Sequence, residues 1–235
     1  MDDSPMYIGV PFNKKKHTLE LQDVGLTSLY IADCRALAEM AGILKRKKEQ
    51  KELESRAKQY ALKMEELWSP EFGAYLNYRT DVDSLSTRVS PTLFYPLMAK
   101  VGNDEKNEII MEHFYNPEEF YGEWMLPSTT RNDPTFSQQR YWKGAIWPPL
   151  NFLTYLSLRQ AGYTDAATEL SEKSLKLIMT EWTRKGYVSE NYSAITGTGD
   201  DSRLSSDRFH SWGALFGIMT FIENGYLPQI ESPME

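Results

Sequence analysis

The sequence predicts an all-α protein with about seven helices, most of them in antiparallel pairs. Apolar residues recur at helical spacing in seven segments of the 235-residue chain. Turns inside the pairs are short, whereas the links at 69–90, 116–149 and 184–211 are long and rich in Pro, Gly, Tyr and Trp. Long loops of this kind in a compact domain are usually functional. The pattern therefore predicts a helical toroid whose connecting loops build one functional face.

The first two helices are predicted to form one pair. Apolar residues at helical spacing cover residues 26–44 in the first helix and 53–67 in the second. Ser69 and Pro70 end the second helix, because proline cannot continue a helix. The basic run at 45–51 lies between the two patterns and is followed by acids. We interpret it as a solvated turn rather than a nucleic-acid patch.

Two more pairs and a last helix follow along the chain. Their apolar positions cover residues 93–101 and 109–114, then 150–158 and 167–182, and finally 212–222. Turn signals separate or close these segments at Gly102-Asn103, Gly162 and Asn224-Gly225. The segments at 150–158 and 212–222 are apolar on more than one face, which is typical of helices buried between neighbours.

The composition excludes several classes of protein. The net charge of −7 argues against a binder of the nucleic-acid backbone, which needs a basic face. The single cysteine, Cys34, lies in an apolar helical stripe, so we expect a buried hydrophobe and no disulfide framework or cysteine-ligated zinc. No apolar stretch reaches the ~20 residues of a membrane span. The acidic, proline-containing start does not resemble a signal peptide. The compartment is left open, with a cytoplasmic location favoured.

Two loop segments combine aromatic and polar side chains. RYWKGAIWPPLNF covers residues 140–152, and GYVSENYSAITGTGDDS covers residues 186–202 with Glu190 at its centre. Sugar rings are apolar on one face and hydroxylated at the rim, so aromatic walls beside polar groups suit them. Carboxylates among such walls are typical of glycoside hydrolysis. The simpler interpretations are a packed helix entry for the first segment and a surface acid in a turn for the second.

Other chemistries fit the sequence less well. The glycines at 197 and 199 lack the spacing and the strand–helix context of a nucleotide-binding loop. The pair Asp200-Asp201 has no second acid one helical turn away, which rules out a terpenoid-synthase metal site. The three histidines show no metal-ligand spacing, and no strained nucleophile motif is present. We therefore expect no metal and no cofactor.

Three motifs in order resemble glycoside hydrolase family 63, above all its mannosylglycerate/glucosylglycerate hydrolase-like branch. The first is MDDSPMY, which is similar to the acid motif of these enzymes. Trehalases belong to the same clan and carry a related acid motif. The second is PSTTRNDPTFSQQRYWKGAIWPPLNFLTYLSLRQAGY. The third is VSENYSAITGTGDDS followed by FHSWGALFG. The resemblance covers nearly the whole chain, with plausible spacing between the motifs.

The resemblance implies an (α/α)6 barrel of twelve helices and an inverting mechanism. With about seven helices, residues 1–235 correspond to a single domain that forms roughly the C-terminal half of such a barrel. The implied substrates are α-linked glucosyl or mannosyl compounds of the glycosyl-glycerate or small oligosaccharide type. A missing N-terminal half, or association of copies, would cover helix faces that a half-barrel exposes.

The resemblance also assigns roles to particular residues. Asp2 corresponds to the general acid, with Asp3 as the neighbouring alternative, and Glu190 corresponds to the general base. The expected substrate contacts are Tyr141, Trp142, Trp147, Lys143, Arg131 and Tyr192. An inverting enzyme holds its two carboxyl groups ~6.5–9.5 Å apart, so that a water molecule fits between them and the sugar.

Two alternatives remain open at this stage. The chain is alternatively a half-barrel without turnover that serves as a carbohydrate-binding or assembly module. A structural helical-repeat protein would use the same aromatic residues only as core. Burial of Tyr141, Trp142 and Trp147 bears on the second alternative, because rings closed off from solvent cannot contact a sugar.

Overall fold

The computed structural model describes residues 3–228 and confirms the mainly helical class. The described residues contain seven α-helices, each overlapping one predicted segment. They are α1 (Val24–Ile43), α2 (Lys47–Met64), α3 (Tyr95–Met98), α4 (Asp104–Tyr115), α5 (Pro148–Gln160), α6 (Thr164–Lys185) and α7 (Leu215–Glu223). α3 is a single turn that continues a 3₁₀ turn at Pro91–Phe94. No helix among residues 3–228 is both long enough and apolar enough to cross a bilayer.

The chain divides into two compact units. One contains residues up to Ile8, Arg88–Pro91 and residues from Met111 onward; the other contains Gly9–Thr87 and Thr92–Ile110. We call them the large unit and the small unit. The single domain expected over 1–235 stays a prediction.

The small unit is built on the antiparallel pair of α1 and α2. Asp23 caps α1 by accepting a hydrogen bond from the Leu26 N–H at 2.7 Å. The Asn77 side chain accepts a second hydrogen bond, from the Val24 N–H at 2.8 Å. Lys45 adopts a positive φ of 58° in the turn between the helices. Cys34 is buried in α1, as predicted.

Seven two-residue strands complete the small unit. β1 (Phe12–Asn13) pairs antiparallel with β2 (Thr18–Leu19), with Phe12 opposite Leu19. β3 (Leu21–Gln22), β6 (Tyr78–Arg79) and β7 (Ser84–Leu85) form an antiparallel sheet in the order β3-β6-β7; β4 (Trp68–Ser69) pairs with β5 (Ala74–Tyr75). The all-helical prediction missed these strands, because two residues cannot show the alternation that identifies a strand.

The large unit packs α5, α6 and α7 together. Pro148 and Pro149 occupy the first turn of α5, where their missing N–H groups cost nothing. Glu223 at the end of α7 connects all three helices. Its carboxylate accepts hydrogen bonds from the Tyr155 hydroxyl at 2.6 Å and the Thr168 hydroxyl at 2.9 Å. Gly186 ends α6 in the left-handed conformation with φ 69°.

Candidate functional site

The tryptophan-rich loop at 140–147 is stabilised by its own aromatic rings. Trp142 and Trp147 stack with centroids 3.8 Å apart and an interplanar angle of 16°. The Trp147 indole donates a hydrogen bond to the Tyr141 carbonyl at 2.9 Å, which closes the loop. Gly144 has φ 96°, and a Cβ there would lie 2.3 Å from the Phe136 carbonyl oxygen. Only glycine fits this close approach of two chain segments.

The rings of this loop differ in their exposure to solvent. Trp147 is fully buried and Trp142 is 6% exposed, whereas Tyr141 and Lys143 are only partly buried. The exposed side of the cluster continues to Trp212, which is 40% exposed and meets the Trp147 ring edge-on at 5.8 Å. Trp147 therefore supports the neighbouring rings from the interior, and solvent reaches the cluster at Tyr141 and Trp212.

Glu190 lies in a short antiparallel pairing of two loop segments. Its N–H donates to the Asp207 carbonyl at 2.9 Å, beside a bridge between Ser189 and Arg208. The Asn191 side chain donates to the Ser205 carbonyl at 2.8 Å. The Glu190 side chain is 16% exposed, so it is largely shielded yet reaches solvent. The backbone around this carboxylate is thus fixed by hydrogen bonds on both sides.

The glutamate loop and the tryptophan-rich loop are joined by backbone hydrogen bonds. The Ile146 N–H donates to the Tyr192 carbonyl at 2.7 Å, and the Tyr192 N–H donates back to Ile146 at 3.0 Å. Ile146 also forms an antiparallel bridge with Pro127. Two motifs about 45 residues apart are therefore held in register at one place in the large unit.

Tyr192 lies beneath the glutamate and not at the surface. It is fully buried, and its hydroxyl accepts a hydrogen bond from the Ser189 N–H at 3.1 Å. Burial raises the pKa of Tyr192 to about 12. This position differs from the expected substrate contact: the hydroxyl anchors the backbone next to Glu190.

Arg131 also has its donors in use within the protein. Its guanidinium donates to the Trp124 carbonyl at 2.6 Å, the Tyr121 carbonyl at 2.8 Å and the Ala194 carbonyl at 3.4 Å. Burial lowers the pKa of Arg131, because desolvation disfavours the charged form. Three carbonyl contacts tie the long loops together, so the geometry favours a supporting position over the expected sugar contact.

The acidic start of the chain meets the tryptophan-rich loop through Lys143. Asp2 lies outside the described residues. Asp3 is described, and its Oδ2 lies 3.4 Å from the Lys143 ammonium, with the Asp3 side chain 39% exposed. Ser4 is buried and caps the 3₁₀ turn Pro5–Tyr7. Arg88 donates to the Pro5 carbonyl at 3.4 Å. Residues 3–8 are therefore anchored in the large unit.

Three buried polar atoms in these segments have no hydrogen-bond partner among residues 3–228. They are Asp3 Oδ1, Trp142 Nε1 and Asn191 Oδ1. One belongs to each of the three motifs found in the sequence. Buried polar groups are normally paired, so such atoms indicate places where water or a ligand group would complete the site.

His210 and Trp212 enter the site without having been predicted. His210 Nε2 lies 3.7 Å from Glu190 Oε1, and the imidazole meets the Trp212 ring edge-on at 5.1 Å. Metal-ligand spacing in the sequence does not detect a single histidine that lies beside a carboxylate. A signal was available in FHSWG, where His210 and Ser211 lie between two aromatic residues after the glutamate motif. Among residues 3–228 no group of three or more His, Cys, Asp or Glu side chains could hold a metal ion.

A family model and a curated relative match most of the chain. The model of the mannosylglycerate hydrolase MGH1-like glycoside hydrolase domain matches residues 11–212. The mannosylglycerate hydrolase of Rubrobacter radiotolerans is 28% identical over 190 residues, which cover 79% of this chain and 41% of that protein.

Solved structures show the fold. A glycoside hydrolase family 63 mannosylglycerate hydrolase from Thermus thermophilus, in complex with glucose, matches 85% of this chain with a TM-score of 0.73 and 23% identity. Neutral trehalase from Saccharomyces cerevisiae matches 94% with a TM-score of 0.73 and 19% identity. The chain thus has part of their (α/α)6 fold, which confirms the predicted fold class. It spans 45% of the first structure, 40% of the second and under half of the Rubrobacter protein.

Proposed function

Because the chain belongs to the family of mannosylglycerate hydrolase MGH1-like glycoside hydrolase domains, we propose that it carries both catalytic carboxylates of an inverting glycosidase. The observation that supports this most is the meeting of three motifs in one unit. Asp3 pairs with Lys143 of the tryptophan-rich loop, and Ile146 of that loop is hydrogen-bonded to Tyr192 beside Glu190.

Glu190 is proposed as the general base. Its carboxylate is largely shielded, and hydrogen bonds on both sides hold its backbone in a defined position. In the reaction it takes a proton from water, whose oxygen bonds to the anomeric carbon while the glycosidic C–O bond breaks. Inversion follows because water attacks the face opposite the leaving group.

Asp2 is proposed as the general acid that protonates the leaving oxygen. Asp3, the alternative, forms an ion pair with Lys143 of the tryptophan-rich loop. We therefore assign Asp3 and Lys143 to holding the acid-bearing segment against the tryptophan-rich loop. Tyr141 is proposed to line the sugar site. Trp142, which is 6% exposed and packs edge-on against Tyr141 at 5.6 Å, is proposed to support that ring and not to contact the sugar itself.

The proposed substrates are α-linked mannosyl or glucosyl compounds, with glycosyl-glycerates foremost. Two relatives named as mannosylglycerate hydrolases support this class, and one of them was solved in complex with glucose.

Tyr192, Arg131 and Trp147 are proposed to support the site from beneath, since their polar or ring contacts are made within the protein.

The Glu190→Gln variant tests the proposal. We expect hydrolysis of mannosylglycerate or glucosylglycerate to fall by roughly 10²–10⁴-fold, since the amide cannot accept the proton. Glu123→Gln is the matched control, because Glu123 is 64% exposed and pairs only at the surface with Lys176. Proton NMR of the first sugar released should show the inverted anomer. Unchanged turnover of Glu190→Gln would overturn the assignment, and binding without product in the unmodified chain would favour a carbohydrate-binding module.

A further inference from the structure

We infer that His210 is a positioning residue that orients the Glu190 carboxylate. The inference rests on the proposed role of Glu190 as the base. The imidazole Nε2 lies 3.7 Å from Glu190 Oε1, with the two side chains 31% and 16% exposed. Two partly shielded polar groups therefore face each other at the edge of the aromatic cluster.

The tautomer of His210 follows from its second nitrogen. The Trp212 N–H donates to His210 Nδ1 at 3.3 Å, so Nδ1 carries a lone pair and the neutral ring carries its proton on Nε2. That N–H is the group directed at Glu190. His210 is also the N-cap of the 3₁₀ turn Ser211–Ala214, which leads into α7. The turn that begins α7 thus determines which imidazole nitrogen faces the carboxylate.

The ring and the glutamate are held by separate, well-defined contacts. The imidazole packs edge-on against Trp212, which in turn meets the buried Trp147. On the backbone side, Phe209 N–H donates to the Val188 carbonyl at 2.8 Å, while the Glu190 N–H donates to the Asp207 carbonyl at 2.9 Å. The two residues are therefore brought together by hydrogen-bonded loop segments and by aromatic packing.

This arrangement would orient a general base. A carboxylate with no directional partner samples several rotations, and only some direct an oxygen at the water to be activated. An N–H facing Oε1 attracts that oxygen and leaves Oε2 to accept the proton from water. An ordinary surface ion pair would contribute little to stability or to rate. The His210 contact differs from such an ion pair, because the Trp212 backbone N–H determines which imidazole nitrogen carries the proton and faces Glu190.

Two substitutions separate the ring's two contacts. His210→Asn keeps a side-chain acceptor for the Trp212 N–H, since Asn is a good N-cap, but removes the donor that faces Glu190. His210→Gln places an amide N–H close to the position of Nε2. We expect His210→Asn to fold with kcat reduced by up to roughly 10²-fold and KM little changed, and His210→Gln to recover part of the loss.

Nitrogen-15 NMR of the imidazole tests the pair without turnover. The chain has only three histidines, so the His210→Asn spectrum assigns His210 by difference. Above neutral pH, we expect the Nε2–H form to predominate, and Glu190→Gln to weaken that preference. A predominant Nδ1–H form, or signals unaffected by Glu190→Gln, would overturn the inference. So would a full kcat in His210→Asn when Glu190→Gln is inactive. If Glu190→Gln stays active while the tautomer is as expected, the proposed function fails and the pairing stands.

Discussion

Among single residues, Trp147 has the largest side chain of those fully buried in residues 3–228, and it lies within the candidate site. It is fully buried, stacks on Trp142 and donates a hydrogen bond to the Tyr141 carbonyl. Removing its ring leaves a large cavity and takes away the hydrogen bond to the Tyr141 carbonyl. We expect Trp147→Ala to lower the free energy of unfolding by about 3–5 kcal/mol, measured by urea denaturation. Trp182→Ala is the control: that ring is 51% exposed, so a loss of about 0.5 kcal/mol is expected. Equal losses of unfolding free energy in Trp147→Ala and Trp182→Ala would contradict the packing role of Trp147.

Gly199 connects the loop after the glutamate to the residues on either side of Glu190. A Cβ at this position would lie 2.0 Å from the Ser189 hydroxyl oxygen and 2.4 Å from the Ser189 Cβ. Substitution must displace Ser189, which precedes the proposed base. We expect Gly199→Ala to lower the unfolding free energy by about 1–3 kcal/mol and to reduce turnover.

Gly217 in α7 is the matched control for this substitution. A Cβ there has no neighbouring atom within 4 Å. Alanine is the better helix former, so Gly217→Ala should raise stability by up to about 1 kcal/mol. Thermal denaturation of both variants checks the pair, and a Gly199→Ala protein as stable as the original would show that the loop adapts at no cost.

At this level, the resemblance to the glycoside hydrolase family assigned Asp2 and Glu190 as acid and base, and both assignments stay predictions. The supporting positions of other motif residues were not predictable from the sequence. Arg131 and Tyr192 belong to the same motifs, yet their polar atoms bond to backbone groups within the protein. A motif identifies residue types, but the direction of a side chain depends on neighbours that are distant along the chain.

The end of α6 is joined to the glutamate loop by a buried ionic network. Glu181 is fully buried and accepts from Arg184 and Lys185, each at 2.6 Å, and from the Gly199 N–H at 3.0 Å. Lys185 also lies 3.0 Å from Asp200. Removing one partner of a buried pair leaves an uncompensated charge. This network explains why a polar loop packs firmly against a helix end.

Asp201 in the same loop makes stability depend on pH. Its side chain is 5% exposed, and the Arg203 guanidinium holds the pKa of Asp201 well below its usual range. A carboxyl with a lowered pKa contributes its full stabilisation above the unfolded value of about 3.9 and loses it as pH falls toward the folded value. The difference in unfolding free energy between the original protein and Asp201→Asn should therefore be largest above pH ~5.

Urea denaturation at pH 6 and pH 3 measures this difference. The difference in unfolding free energy between the original protein and Asp201→Asn should be smaller at pH 3. At that pH the Asp201 carboxyl binds a proton in the unfolded chain but stays ionised in the folded protein. Asp104→Asn, at the start of α4 and outside this loop, serves as the control. A difference in unfolding free energy that is the same at pH 6 and pH 3 would show that the ion pair of Asp201 with Arg203 does not stabilise the fold.

The helices also show where periodicity succeeds and where it fails. α1, α2, α5 and α6 were predictable because each is long enough to repeat its apolar positions several times. α3 has only four residues and is shorter than the predicted segment 93–101, because a 3₁₀ turn precedes it. Each strand of the small unit has two residues, too few to show an alternation. Their pairing depends on residues far apart in sequence, such as Leu21 opposite Arg79.

For the molecule as a whole, the outer side of α1 and its C-cap Leu44 form an exposed apolar stripe. Several bulky side chains are exposed, whereas most of those turned inward, apart from Val24 and Ile31, are small. Exposed are Leu26, Leu37, Met40, Ile43 and Leu44; buried are Ser28, Cys34, Ala38 and Ala41. Such a stripe is larger than scattered surface apolar residues and is typical of an interaction face. In the chain as given, it is expected to drive association.

Light scattering over a range of concentrations tests this expectation. We expect the chain to associate, and a triple variant with Leu37, Met40 and Ile43 changed to Gln to associate less. A control triple, in which Lys48, Lys51 and Lys58 of α2 become Arg, should behave as the original, since these residues are exposed and polar. If the original chain is monomeric at all concentrations and unfolds cooperatively, the apolar stripe is stable in contact with solvent and does not drive association.

The sequence alone determined the helical class, the positions of the long helices and the resemblance that pointed to the family. These properties are local, because periodicity, turn residues and motif spacing act within a few turns of chain. Tertiary structure decided which side chains face one another. Asp3 meets Lys143, Ile146 pairs with Tyr192, and His210 turns Nε2 toward Glu190 through a bond to the Trp212 backbone. The contacts Asp3–Lys143, Ile146–Tyr192 and Glu190–His210 join residues that are 20 to 140 positions apart along the chain. Contacts of this kind form only when the chain folds.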